Sequence, residues 1–160
     1  YSTLDLNKIQ ISDIIDKIMN LFPSMKEKIN IHNSIPSEKI IVDETKFIIA
    51  LRNLLDNAIK YSENNKVELS IEKKHDVIFY VKDSGIGITE EDIKKITKPF
   101  FQAEKTISTD GFGLGLTICK KIIESHNGRL SIQSEKGRGS VFALHLPPIK
   151  GWYSVLIMLI

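Results

Sequence analysis

Asn53, Asn57, Lys60 and Tyr61 stand in the run Asn53-Leu54-Leu55-Asp56-Asn57-Ala58-Ile59-Lys60-Tyr61-Ser62. At about 100° per residue they share roughly a quarter of a helix circumference, and Leu51, Leu54, Leu55, Ala58 and Ile59 fill the rest. An amphipathic helix needs polar residues outside, but it has no need of two carboxamides, one lysine and one tyrosine. Asparagine is a mediocre helix former, so two on one stripe ask for a cause. An amide carbonyl is a hard oxygen ligand for Mg²⁺ that adds no negative charge beside a polyphosphate. Lys60 offers phosphate a point charge, and Tyr61 offers a stacking face or a hydroxyl. The set suits a magnesium-bound polyphosphate beside a flat ring. Two solvated helix asparagines are the plainer alternative.

Three glycine-rich segments follow. Asp83-Ser84-Gly85-Ile86-Gly87-Ile88 sets a carboxylate at a strand end before two glycines. Such an acceptor suits an exocyclic amine like that of adenine, and the glycines let the backbone approach a ring edge. An ordinary Asx-type turn explains the same residues. Gly111-Phe112-Gly113-Leu114-Gly115-Leu116 joins a loop end to a helix start, whose free N–H groups and positive dipole end favour a phosphate. It is neither a P-loop, lacking Gly-Lys-Ser/Thr, nor a dinucleotide fingerprint, lacking a parallel βαβ unit. A hairpin turn accounts for Gly137-Arg138-Gly139-Ser140, although Ser140 can add a hydroxyl to a purine-binding water network. His32, His75, His126 and His145 are scattered without metal-ligand spacing, which argues against zinc. For His126, at the close of a helix, a cation or C-cap role is the preferred reading.

The elements that must position these residues follow from periodicity. Asp5 to about Met25 reads as a helix ended by Pro23, Ile29–Asn33 and Lys39–Val42 as strands, and Asp43 or Glu44 to Ser62 as the helix carrying the first motif. Val67–Glu72 and Val77–Asp83 alternate as a hairpin turning at Lys74-His75. Thr89 caps a helix running to Ile96, and residues 97–113 form a long loop, usually a functional feature. Leu114–His126 is helical with a stop at Asn127-Gly128, and Leu130–Ser134 and Ser140–Leu146 are strands. The expected fold is α+β: a two-layer sandwich of about five mainly antiparallel strands on three main helices.

At 160 residues one domain is expected over 1–150, with an apolar tail at 151–160 that is too short to span a bilayer. That tail reads equally as an extra strand, a partner-docking segment or a cloning scar. The formal net charge of +2, with both signs interspersed, gives no reason to expect nucleic acid or a membrane surface as partner. Cys119 has no disulfide partner and suits a reducing cytoplasm. The opening Tyr1-Ser2-Thr3 suggests a piece cut from a longer chain.

In this order the segments resemble the ATP-binding catalytic domain of bacterial sensor histidine kinases, within the superfamily shared with gyrase, MutL and heat-shock chaperone ATPases. The resemblance covers about Leu4 to Leu146. NLLDNAIKYS resembles the N box, DSGIGI, GFGLGL and GRGS the three glycine boxes, and KPFF the F box. It implies that Asn57, helped by Asn53, ligates Mg²⁺, that Lys60 touches phosphate and that Tyr61 lines the nucleotide. Asp83 would read the adenine amine, with Gly85, Gly87 and Ile88 shaping the pocket. Residues 97–111 would form the ATP lid, with Lys105 on the γ-phosphate and Phe100 and Phe101 fastening the lid. Gly111, Gly113, Leu114, Gly115 and Leu116 would wrap the phosphates, and Ser140 would complete the purine side.

Two departures stand out. Thr97 occupies the position where the F box usually has its first phenylalanine, and Asn127-Gly128 replaces a pair of glycines. The chain also lacks the histidine-acidic-Arg/Lys helix that receives the phosphoryl group. The function implied is therefore that of a protein-histidine kinase's catalytic part. It would need its own dimerisation domain, in a parent expected to be a homodimer, and a response-regulator receiver domain downstream. A cytoplasmic location follows, with a parent that membranes can anchor. The competing readings are a regulatory ATP-binding module without transfer, and a gyrase-like or MutL-like ATPase.

Overall fold

A computed structural model describes residues 3–63, 65–98 and 115–148. The chain begins with strand β1 (Leu6–Gln10), helix α1 (Ile11–Leu21) and a 3₁₀ turn at Pro23–Met25. The segment from Asp5 therefore does not fold as one helix: Leu6–Gln10 pairs antiparallel with β3 (Lys39–Asp43), Leu6 opposite Asp43 and Gln10 opposite Lys39. Ile40, Ile41 and Val42 make β3 a good β-former, and a ladder partner some thirty residues away overrides the local helical spacing of Leu6 and Ile9. From Ile11 the helical period takes hold, burying Ile11, Ile14, Ile15, Ile18 and Met19.

The main sheet has five strands in the order β2-β4-β5-β7-β6, from Ile29–Asn33, Val67–Lys73, Val77–Asp83, Gly139–Leu146 and Arg129–Glu135 respectively. Only β2 and β4 run parallel; the other three pairings are antiparallel. Strand alternation sends Leu69, Ile71, Phe79, Val81, Phe142 and Leu144 into the core. Helix α2 (Glu44–Tyr61) lays Phe47, Leu51, Leu54, Leu55 and Ala58 over that face. Phe47 meets Phe79 edge-on with ring centroids 5.0 Å apart. Helix α4 (Gly115–Ser125) packs beside α2 and adds Leu116, Cys119 and Ile123. Between β5 and α4, Thr89 caps a single turn, α3 (Glu90–Ile93), shorter than the sequence period suggests. The result is the expected two-layer α+β sandwich, with an additional two-stranded ribbon at the start of α2.

Candidate functional site

Helix α2 carries the first wall of the site. Its N-terminus is held by Asp43, whose Oδ1 accepts from the Lys46 amide at 3.1 Å while Oδ2 accepts from the Asp5 amide at 3.0 Å. Burial opposes the charge on Asp43, but those two N–H groups, with Lys46 and His126, leave its carboxyl below the ordinary carboxylate value. Along the stripe Asn53, Asn57 and Tyr61 are half-buried and Lys60 is exposed, its Nζ 5.8 Å from the Tyr61 ring centroid. The helix thus presents both carboxamides on a face that is neither core nor open solvent.

The end of β5 meets the end of α2. A Cβ on Gly85 would fall 1.7 Å from the Tyr61 carbonyl oxygen, so only glycine lets this turn close on the helix end. Asp83 is 4 % exposed and its Oδ1 accepts from the Gly85 amide at 2.9 Å. Burial raises the Asp83 carboxyl above its ordinary value, partly offset by backbone bonds from Gly85 and Ser140. Gly87 takes φ +70°, and a Cβ there would lie 2.0 Å from the Glu135 carbonyl oxygen, so this glycine lets the loop lie against the β6–β7 turn. Ile88 is fixed in the same way: its amide donates to Ser134 Oγ at 2.7 Å.

Ser134 is a residue the sequence reading missed. Its hydroxyl also contacts the Gly139 carbonyl at 2.9 Å and Ser140 Oγ at 2.7 Å, so one side chain ties the Asp83 loop to the third glycine segment. Nothing in its local sequence marks it; only the register Ser134 opposite Ser140 brings it there. Ser140 is 5 % exposed, opposite Asp83 on β7.

The remaining wall is α4. The Cβ position of Gly115 lies 3.9 Å from the Asn53 side chain, which sets the first residue of α4 beside the carboxamide stripe. Leu116 is buried in the core and anchors that helix start. Thr117 Oγ1 donates to the Thr97 carbonyl at 2.6 Å. The position lacking the F-box phenylalanine is therefore held through its backbone. His126 takes the expected C-cap place directly after α4, its amide bonding the Ile122 and Ile123 carbonyls, but its side chain is fully buried and is not a solvated cation. Its Nε2 accepts from the Asp43 amide at 2.9 Å and its Nδ1 faces the Ile122 carbonyl at 2.7 Å. Burial lowers its basicity below the usual value, Ile122 and Asp43 work the other way, and Lys46 adds to the lowering. Phe100, Phe101, Lys105, Gly111, Gly113 and Leu114 lie outside the described residues, as do most of the expected lid and the 151–160 tail.

The described site residues therefore form a chain of contacts from Gly115 through Asn53 and along α2 to Tyr61, then through Gly85 and Asp83 to Ser140. A family model for the histidine kinase-, DNA gyrase B- and HSP90-like ATPases matches residues 42–150. The chain belongs to that ATPase family. Among curated relatives, the autoinducer 2 sensor kinase/phosphatase LuxQ of Vibrio vulnificus is 34% identical over 153 residues, covering 87% of this chain and 18% of LuxQ. Among solved structures, the nucleotide-free catalytic domain of the histidine kinase ThkA aligns with TM-score 0.76 at 30% identity, covering 90% of this chain and 98% of that one. Full-length ShkA in complex with AMPPNP aligns with TM-score 0.74 at 28% identity, covering 91% of this chain and 32% of ShkA. Within the ATPase family, the chain is an ATP-binding catalytic domain of the sensor histidine kinase kind, and it spans under a fifth of LuxQ. No helix among the described residues is long and apolar enough to cross a membrane.

Proposed function

We propose that this domain binds Mg-ATP and presents the γ-phosphoryl group to a histidine on a separate dimerisation domain of its parent kinase, for relay to a response-regulator receiver. The observation that carries the reading is the joining of three sequence-distant motifs into one wall. Asn53 lies beside the α4 start, and the Tyr61 carbonyl lies against Gly85 next to buried Asp83. The AMPPNP complex of ShkA supports the nucleotide part, and sensor-kinase relatives such as LuxQ support the kinase part.

In this reading Asp83 accepts the adenine amine, held in place by Gly85 and Ser140. Tyr61 lines the nucleotide and Lys60 neutralises phosphate charge. Asn57 and Asn53 offer neutral oxygens to Mg²⁺. The donor set fits that ion, because amide oxygens are hard ligands and both carboxamides stand on the half-buried face of α2. When bound, Mg²⁺ would balance the charge on the phosphate oxygens. Gly111, Gly113, Leu114 and Gly115 are assigned to the phosphates, Lys105 to the γ-phosphate and Phe100 to fastening the lid. Positioning and charge balance are most of what phosphoryl transfer asks of a protein.

The test mixes the chain, γ-labelled ATP and Mg²⁺ with a separately expressed dimerisation domain carrying the acceptor histidine. Acid-labile, base-stable labelling of that domain is expected. Nucleotide binding with no labelling would contradict the transfer step and leave a regulatory ATP-binding module.

A further inference from the structure

The face of the sheet turned away from α2 carries a feature the nucleotide reading does not use. Three strands bring their outward side chains into register there. Tyr80, Ala143 and Ser131 form one row across β5, β7 and β6, and His145 and Arg129 pair in the next row. Ala143, with only a methyl group, leaves a dent between longer neighbours. Lys74, from the β4–β5 turn, lines it from the side. The cavity measures about 330 Å³, at the lower end of the range of small-ligand pockets.

Its lining is rich in donors. Arg129 makes no ion pair among the described residues, so its planar fork is available for a bidentate oxyanion contact. Lys74 is near Glu72 at 3.4 Å and also interacts with the Tyr80 hydroxyl. His145 is buried at 7 % exposure, with Nε2 against Ser131 Oγ at 2.8 Å. Burial, Arg129 and Lys74 all disfavour the imidazolium form of His145, and Asp76 alone favours it. Those groups, with Tyr80 on β5 and Glu72 on β4, are the titratable and charged neighbours of this imidazole. Arg129 and Lys74 thus bring two cationic side chains, one of them beside Glu72, to a cavity floored by Ala143 and Val141.

We propose that this outer-face cavity is a second ligand site, distinct from the nucleotide pocket, that takes the carboxylate or phosphate head of a small organic anion. Arg129 grips the head group in bidentate fashion, Lys74 and the Tyr80 hydroxyl complete its contacts, and the ligand's apolar body rests on Ala143 and Val141.

The test is an NMR titration of the folded domain, saturated with Mg-ATP so that the nucleotide pocket is filled, at constant ionic strength. Benzoate and inorganic phosphate are the two probes, and they distinguish a carboxylate from a phosphate head. Saturable shifts at the Arg129 Nε–H and the His145 ring are expected with at least one probe. The His145 pKa should rise by about one unit at saturation, the scale of a nearby opposite charge. Arg129→Gln should abolish saturation, while its unchanged spectrum elsewhere reports an intact fold. Shifts that grow linearly with both probes, equal in the parent and Arg129→Gln, would overturn the site.

Discussion

Asp83 has the burial and backbone bonding that the proposed adenine contact asks of one side chain. It is almost fully buried, its charge is disfavoured by burial, and the Gly85 and Ser140 backbone partly restores it. An acceptor held this way is costly to leave unmatched, which is a basis for choosing an amine over a carbonyl at the ring edge. Asp83→Asn should weaken ATP binding about ten-fold or more, the scale of a charge-assisted hydrogen bond of about 1.5–3 kcal/mol. Equal affinity of the parent for ATP and GTP, by calorimetry, would count against that role. Because the Asp83 pKa is raised on folding, its contribution to stability falls as pH rises from 3.8 through the folded value. Cys119 is the opposite kind of residue: fully buried, with its thiol pushed up to about 12. It should resist a thiol reagent such as DTNB at neutral pH until the domain is unfolded in urea. Rapid labelling of the native domain would contradict its place in the core.

At the scale of elements, the joint between α2 and α4 depends on His126. It accepts the Asp43 backbone N–H across 83 residues of sequence, and the same Asp43 caps α2 and receives the Asp5 amide. The helix bearing the carboxamides and the helix beginning at Gly115 are thus tied at one end while Gly115 sits against Asn53 at the other. Since burial lowers the His126 pKa below 6.5, the unfolded chain binds more protons in the window just under that value. Stability should be fully present above pH 6.5 and decline as pH falls through the folded pKa. Denaturant titrations at pH 7.5 and 5.5 should show a smaller acid loss in His126→Gln than in the parent. Some slope should persist, because His145 is lowered in the same sense. An identical acid loss in both proteins would show that His126 does not carry the effect. The sequence did not reveal this joint, because its partner is a backbone amide on a distant strand. β1 was hidden for a similar reason: Leu6 and Ile9 keep a helical interval, and only pairing with β3 decides the matter.

For the molecule as a whole, legibility follows the range of the interactions. The N-box stripe and the glycine segments are short, and the chemistry of each is written into neighbouring residues, so α2, the β4–β5 hairpin and the β6–β7 pair were readable with few errors at their ends. Ser134, His126 and the backbone tie between Thr117 and Thr97 were not, since each acts through a contact that only the assembled sheet and helices create. The proposed role of the α2 carboxamides is to hold the metal of a magnesium nucleotide. The direct measurement is ATP affinity by calorimetry with and without Mg²⁺, in the parent and in Asn57→Ala, with circular dichroism melting to establish that both are folded. Mg²⁺ should strengthen ATP binding to the parent, and the variant should lose that gain while melting like the parent. A folded Asn57→Ala that binds ATP as tightly as the parent, with the same Mg²⁺ dependence, would contradict the assignment.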